Sequence, residues 1–267
     1  VEILKSTRYI LGPYVNEFEK QIAAYHGVTY AAGVASGTSA LHLSLNTAGV
    51  VASDEVITTP FTFFATVESI IYRSAKPVFV DIDRDTLNIA VNQIEEKITN
   101  KTKAVLPVHL FGLPANIIKI MEIAQKHDLK VIEDCAQSFG AEINGKKTGS
   151  FGHTGCFSFY PSKNLGCYGD GGAVITNNKD ACEEIKSLRN HGLRESYIHS
   201  EIGFNSRLDE IQAGILLIKL KRIDEQNNLR RQNAALYNQA LNEYVTCPVE
   251  PEGYRSNYHL YTIRSPK

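Results

Sequence analysis

The sequence predicts an α/β protein with a mostly parallel central sheet and helices on both faces. Three observations carry this. Helical and strand-like apolar patterns alternate from residue 13 to residue 134, the strands are short apolar runs, and turns such as Gly27 and Ser36-Gly37 punctuate them. Ligands of such sheets bind beyond the carboxyl ends of the strands. The residues to inspect are therefore Ser36-Gly37-Thr38, Phe61-Thr62-Phe63, His109, Asp134 and Ser158.

Val15, Phe18, Ile22 and Tyr25 recur at spacings of three and four, marking a helix face that stops at Gly27. Residues 30–35 read as a strand, followed by a turn and a helix carrying Leu41 and Leu45. Strand 55–59, helix 62–74, strand 77–82 and helix 91–98 follow, then strand 103–110, helix 117–128 and strand 130–134. In the second half, Asn144-Gly145 predicts a hairpin turn within 142–147. Strands 156–160 and 173–176 flank a glycine-rich segment, a long helix spans 208–243, and 258–264 is β-like. The chain starts without Met and stops three residues after that last run. The expectation is a large domain over 1–243, including the long helical connection, and a smaller α+β domain that begins at 244–267 and is cut short.

Composition excludes several classes. Of 267 residues, 43% are hydrophobic and 21% charged, which is ordinary globular usage and neither disorder nor coiled coil. A formal net charge of −1 argues against nucleic acid as partner, and no apolar stretch is long enough to span a membrane. The five cysteines are odd in number, have no C-x-x-C spacing and form no zinc pattern with the eight histidines. Reduced thiols in the cytoplasm and no metal are the expectations.

Two nucleotide signatures fail. Residues 140–147 approach a phosphate-loop spacing, but Lys147 stands where a hydroxyl should hold magnesium, and the stretch falls in the hairpin. Gly169-Asp170-Gly171-Gly172 lacks the last glycine of the dinucleotide fingerprint, where Val174 stands.

Three segments carry positive signals. At Ser36-Gly37-Thr38-Ser39 a strand ends and Thr38 opens a helix, either as an ordinary cap or as a phosphate site using free N–H groups. The strand ending at Glu133-Asp134 delivers Asp134, with Gln137 beyond it, to the sheet edge, where Asp134 is either a site acid or the cap of the next turn. Lys163 follows an aromatic strand and precedes tight glycine turns, an enclosed place that lowers an ammonium's basicity, although most lysines are surface charges. A reactive lysine, an acid, a phosphate cup and an aromatic face at the edge of one sheet are what pyridoxal 5'-phosphate requires.

At these residues the chain resembles the sugar nucleotide aminotransferases of the DegT/DnrJ/StrS type. The resemblance runs from Arg8-Tyr9-Ile10-Leu11-Gly12-Pro13 to Tyr258-His259-Leu260-Tyr261, and is most specific at 133–141, 158–172 and 203–213. It implies a fold-type I aminotransferase using pyridoxal 5'-phosphate, with pyridoxamine phosphate as reaction intermediate. Such an enzyme moves an amino group from glutamate to a nucleotide-linked keto sugar, in amino-sugar and surface-polysaccharide biosynthesis. Lys163 is then the lysine that forms a Schiff base with the cofactor and carries the proton, and Asp134 the partner of the pyridinium N–H. Gln137 faces the ring oxygen and Phe63 stacks on the ring, while Phe61 and Phe64 are core. Gly37, Thr38, Ser39 and Ser158 resemble the phosphate cup. Asn205 resembles a residue lent to the neighbouring subunit's phosphate, which implies a homodimer with shared active sites. His109 and His191 lie in segments like the family's active-site loops, as substrate residues.

Tyr160-Pro161-Ser162-Lys163 resembles the branch acting at the sugar's C3 more than the His-x-x-Lys pattern of C4 enzymes. The run Pro114-Ala115-Asn116-Ile117-Ile118 lacks the family's usual Asp, a change at a helix start. Without the rest of the small domain, the chain is expected to bind cofactor yet turn over poorly. Three alternatives stand beside this reading: a C4 aminotransferase, a cofactor-binding regulatory or sensory protein, and a dehydratase of the family, which lacks the lysine and is opposed by Lys163.

Overall fold

The computed structural model describes residues 2–195 and 197–265. The expected domains 1–243 and 244–267 include Val1, Ser196, Pro266 and Lys267, which lie outside the described residues. The first half runs α1 (Glu2–Ser6), α2 (Pro13–His26), β1 (Tyr30–Val34), α3 (Gly37–Thr47), β2 (Glu55–Thr58), α4 (Phe64–Tyr72), β3 (Lys76–Phe79), β4 (Thr102–Val105), α5 (Ile117–Lys126) and β5 (Lys130–Asp134). Then come β6 (Glu142–Ile143), β7 (Lys146–Lys147), β8 (Thr154–Ser158), β9 (Gly172–Thr176), α6 (Lys179–Leu188), β10 (Leu193–Glu195) and β11 (Ile198–His199). The last elements are α7 (Glu210–Leu220), α8 (Ile223–Leu241) and β12 (Tyr254–Arg255).

Seven strands form one sheet in the order β1-β9-β8-β5-β4-β2-β3. Only β9 runs against the others, pairing antiparallel with both β1 and β8. Strand alternation divides the core. On one face Ala31, Phe157, Ala173 and Ile175 pack with Val15, Phe18 and Ile22 of α2 and with Ala213 and Leu216 of α7. On the other, Ala32, Val34, Ile132 and Cys156 pack with Leu41 and Leu45 of α3, Ile70 of α4 and Ile185 of α6. Each fully buried Val, Leu, Ile or Phe among them contributes roughly 1.5–3 kcal/mol of apolar transfer. All the strands except β9 therefore deliver their carboxyl ends to one edge.

Helix 91–98 is not formed: two 3-10 turns, Val91–Gln93 and Glu95–Lys97, stand there. The segment is short and anchors only Ile94 at full burial, too little to offset the nucleation of a helix. The long helix at 208–243 divides into α7 and α8, because Arg222 at φ −118°, ψ 6° leaves the helical region. The β-like run 258–264 joins no ladder; its backbone bonds run from Leu260 to the Phe111 carbonyl and between Arg264 and Thr246. The hairpin at 142–147 forms as predicted, with Asn144 and Gly145 both at positive φ, and β12 pairs with its first strand.

Glu133, near the end of β5, ties the sheet to the loop before β8. Its Oε1 accepts the N–H groups of Phe151 and Gly152, each at 2.8 Å. Its Oε2 accepts the Gly149 N–H at 2.8 Å and His109 Nε2 at 3.0 Å. Burial disfavours its charge, but the His109 hydrogen bond and the loop N–H groups hold its pKa below the ordinary value of 4.5. Its contribution to stability is thus complete above that value and is lost as acid protonates it. Substituting Glu133→Gln puts an amide donor against N–H donors; it is expected to destabilise the fold by about 2–4 kcal/mol in urea unfolding at pH 7. A loss too small to measure would contradict the assignment.

Candidate active site

The carboxyl edge of the sheet opens on a cavity of about 530 Å³, lined by residues that follow five different strands. Ser36, Gly37 and Thr38 follow β1, and Thr62, Phe63 and Thr66 follow β2. Val108 follows β4; Asp134, Ala136 and Gln137 end or follow β5; Ser158, Tyr160 and Lys163 end or follow β8.

Helix α3 begins at this wall. Its cap is Ser36, whose Oγ accepts the Ser39 N–H at 3.1 Å, and not Thr38 as an ordinary capping role predicts. The N–H groups of Gly37 and Thr38 thus stand in the first turn with no intrahelical acceptor. Gly37 has no tolerance for a side chain: a Cβ there would lie 2.7 Å from the Ser158 Cβ. Helix terminus and Ser158 therefore close on each other as two sides of one cup, suited to an anion.

Asp134 is buried at the cavity floor. Both readings of it hold at once, since Oδ1 accepts the Ala136 N–H at 3.1 Å as a turn cap while Oδ2 accepts the Thr66 hydroxyl at 2.9 Å. Burial raises its pKa above the ordinary 3.8, against those two hydrogen bonds and the attraction of Lys163. A carboxylate so placed lacks a close cationic donor. Lys163 is half-buried and has no side-chain hydrogen-bond or ion-pair partner among the described residues; burial lowers its pKa and Asp134 opposes that. Gln137 Oε1 accepts the Phe111 N–H at 2.6 Å, which fixes the amide and leaves its NH2 unpartnered among the described residues. Phe63 is 73% exposed at the cavity wall, immediately before α4.

Five expectations place differently. Ser39 and Asn205 do not line this cavity; both line a neighbouring one of about 500 Å³ that shares Thr38, and the Ser39 N–H is already taken by Ser36. His109 is fully buried behind the wall, with Nδ1 accepting the Ala115 N–H at 2.9 Å and Nε2 facing Glu133. Both its nitrogens are engaged in the scaffold, so it does not reach a substrate. His191 sits outside the cavity, in a loop at φ 61° with its N–H on the Phe204 carbonyl. Phe61 and Phe64, expected in the core, are 45% and 70% exposed. His109, Glu133 and Cys135 lie close enough to hold a metal ion. Since His109 Nδ1 accepts, Nε2 carries the proton, and every Glu133 oxygen already takes two donors; the cluster is closed by hydrogen bonds.

Sequence reasoning missed Thr66, which orients Asp134; its position one helical turn after Phe63 was the available signal.

The fold and this edge define a protein of the aminotransferase class. The chain belongs to the DegT/DnrJ/EryC1/StrS aminotransferase family, whose family model matches residues 1–267. A "Pleiotropic regulatory protein" of Geobacillus stearothermophilus is 48% identical, over 100% of this chain and 73% of that protein. A UDP-N-acetyl-3-dehydro-alpha-D-glucosamine 3-aminotransferase of Acidithiobacillus ferrooxidans is 46% identical, over 98% of this chain and 72% of that protein. Among solved structures, S. venezuelae DesV in complex with a ketimine intermediate superposes at a TM-score of 0.97, with 41% identity, covering 99% of this chain and 72% of that one. Aminotransferases of this family depend on pyridoxal phosphate.

The residues present fit that cofactor. An anion cup, a buried acid lacking a cationic donor, an unpartnered lysine and an exposed aromatic ring surround one cavity. Because the fold raises the Asp134 pKa, stability falls as pH rises through the interval above 3.8. Asp134→Asn keeps the acceptor for Ala136 and offers an NH2 to the Thr66 hydroxyl. It is expected to stabilise the cofactor-free protein by about 1 kcal/mol at pH 8 and to weaken cofactor binding about 100-fold. Unfolding at pH 8 and pH 4 together with a fluorescence titration tests both, the stability difference vanishing at the lower pH. A variant less stable than the parent at pH 8 contradicts the electrostatic account.

Proposed function

We propose that this chain is a pyridoxal-phosphate-dependent aminotransferase that passes an amino group from glutamate to the C3 keto group of a nucleotide-linked sugar, in amino-sugar and surface-polysaccharide biosynthesis. The observation that carries the reading is Lys163 and Asp134 facing one cavity beside an anion cup. The name of the Acidithiobacillus relative supports both the nucleotide sugar and the C3 position.

When bound, pyridoxal phosphate supplies an aldehyde that takes up the amino group and a ring that withdraws electrons. Asp134 would accept a ring N–H and so gain the cationic donor that its burial lacks. Ala136 and Thr66 hold its two oxygens so that it cannot rotate away. Thr38, Ser158 and the first-turn N–H groups of Gly37 and Thr38 would bind the phosphate, with Ser39 held by the Ser36 cap. Phe63 would cover one ring face, and the Gln137 NH2 would be the donor for the ring oxygen. Lys163 would hold the cofactor through Nζ and move a proton there; burial lowers its pKa from the ordinary value, and Asp134 opposes that.

We propose further that the chain works as a homodimer with shared sites. The exposed Phe63 and Tyr160 line the cavity, with exposed Phe64 next in sequence, and Asn205 stands in an adjoining cavity, available to a partner's phosphate. Residues 244–267 are read as the opening of a smaller domain. Five unpaired cysteines support the cytoplasm as the compartment. Among the described residues, no helix is long and apolar enough to cross a membrane.

A second reading, a cofactor-binding regulatory protein, is favoured by the name of the Geobacillus relative. Glutamate separates the two: the enzyme converts bound cofactor to its amino form and releases 2-oxoglutarate, while a regulator leaves the absorbance unchanged. Borohydride is expected to trap cofactor on the parent chain and not on Lys163→Ala, whose half-reaction falls at least about 10⁴-fold. Regiochemistry is read by NMR of the products from 3-keto and 4-keto nucleotide sugars. Mixing Lys163→Ala with Asn205→Ala tests sharing, because each hybrid dimer has one intact site. Activity should recover to about a quarter of the parent's at limiting cofactor, and no recovery sinks the shared-site geometry.

A further inference from the structure

Beside Lys163 lies a polar cluster that none of these roles uses. Asn164 is buried, and its side-chain amide is fully engaged. Its Nδ2 donates to Asn227 Oδ1 on α8 at 2.8 Å and to the Asn257 carbonyl at 3.2 Å. Its Oδ1 lies 3.0 Å from Nδ1 of His259. With both amide hydrogens used, the oxygen must face the imidazole, so His259 carries its proton on Nδ1. Nε2 is then an open lone pair, with no protein donor among the described residues.

The segment holding His259 is seated as firmly. Asn257 accepts the His259 N–H through Oδ1 at 3.0 Å and donates Nδ2 to the Phe139 carbonyl at 3.1 Å. The Asn257 N–H reaches the Gly112 carbonyl and the Leu260 N–H that of Phe111. Phe111 is the residue whose own N–H holds Gln137. Arg230 on α8 binds the Tyr258 and His259 carbonyls. Asp134 of β5 thus lines the same cavity as Lys163, while His259 is joined to the lysine's loop through Asn164, the residue next to it, and Arg230 holds the His259 carbonyl. Burial, followed by the charges of Lys163 and Arg230, lowers the His259 pKa to about 4, so the ring brings no cation to the lysine.

We propose that His259 is a positioning residue for Lys163: fixed as the Nδ1–H tautomer by Asn164, it couples segment 257–260 to the lysine's loop and orients the amine. The proposal rests on the reading of Lys163 as the cofactor-binding lysine. A lysine with four flexible bonds and no partner of its own needs its loop held for the amine to meet an aldehyde productively. His259 supplies that hold at a distance, through a neutral side chain that leaves Asp134 as the only counter-charge named at the amine.

The test follows capture of pyridoxal phosphate by the cofactor-free chain, read as the absorbance change when the amine condenses with the aldehyde and water leaves, between pH 6 and 9. His259→Phe fills the space without the donor; it is expected to slow capture about tenfold or more and to displace the midpoint of the pH profile. His259→Asn, whose amide NH2 replaces Nδ1–H, should stay within about threefold of the parent. Equal capture by parent and His259→Phe overturns the proposal, as does His259→Asn being as slow as His259→Phe. Nitrogen-15 NMR of the parent's His259 needs no substitution: an Nδ1–H tautomer supports the proposal, and an Nε2–H tautomer overturns it even if His259→Phe fails to fold. A parent chain that captures no aldehyde while showing the Nδ1–H tautomer would instead defeat the reading of Lys163.

Discussion

Two adjacent carboxylates at the end of one strand organise this molecule. Side chains along a strand point alternately to opposite faces, so Glu133 and Asp134 cannot share an environment. Glu133 turns into the scaffold, where four donors saturate it and its charge is fully satisfied. Asp134 turns into the cavity, where two donors leave it short of what its burial demands. One acid is locked into structure and its neighbour held ready for a ligand. The loop closed by Glu133 carries the chain into β8, and β8 leads to Ser158 and Lys163.

The rest of the site follows from that edge. Parallel strands deliver several loops to one side, and each loop contributes a different chemistry at little cost to the core. The single reversed strand, β9, brings its first residue, Gly172, back beside Ser158. Gly37 then allows α3 to reach Ser158 closely enough to form the cup.

Much of this was legible in the sequence where local rules dominate. Alternating patterns located the strands, and strand ends located Asp134, Lys163 and the Ser36–Ser39 turn, because topology places such ends together whatever the details of packing. What failed was decided over long distances. His109 looks like a site residue by position, but Glu133 and the Ala115 N–H, reached only after folding, draw it behind the wall. Residues 258–264 have strand-like composition, yet their backbone partners are Phe111 and Thr246, so no ladder forms. Phe61 and Phe64 follow no periodicity that could separate an exposed rim from a buried core. The asparagines beside Lys163 are ordinary residues, and only the convergence of Asn164, Asn227 and Asn257 from three stretches of chain gives them meaning.

That convergence also has a bearing on the order in which the protein is made. Asn164 and His259 are 95 residues apart in sequence. A chain leaving the ribosome exposes the sheet edge, the acid and the lysine well before His259 emerges, and N-terminal portions fold first. The lysine's surroundings are therefore finished only when residues 257–260 have been made. A nascent polypeptide that has not reached His259 would present the cup and Asp134 with a less constrained amine, so synthesis of that segment is the event that commissions the site.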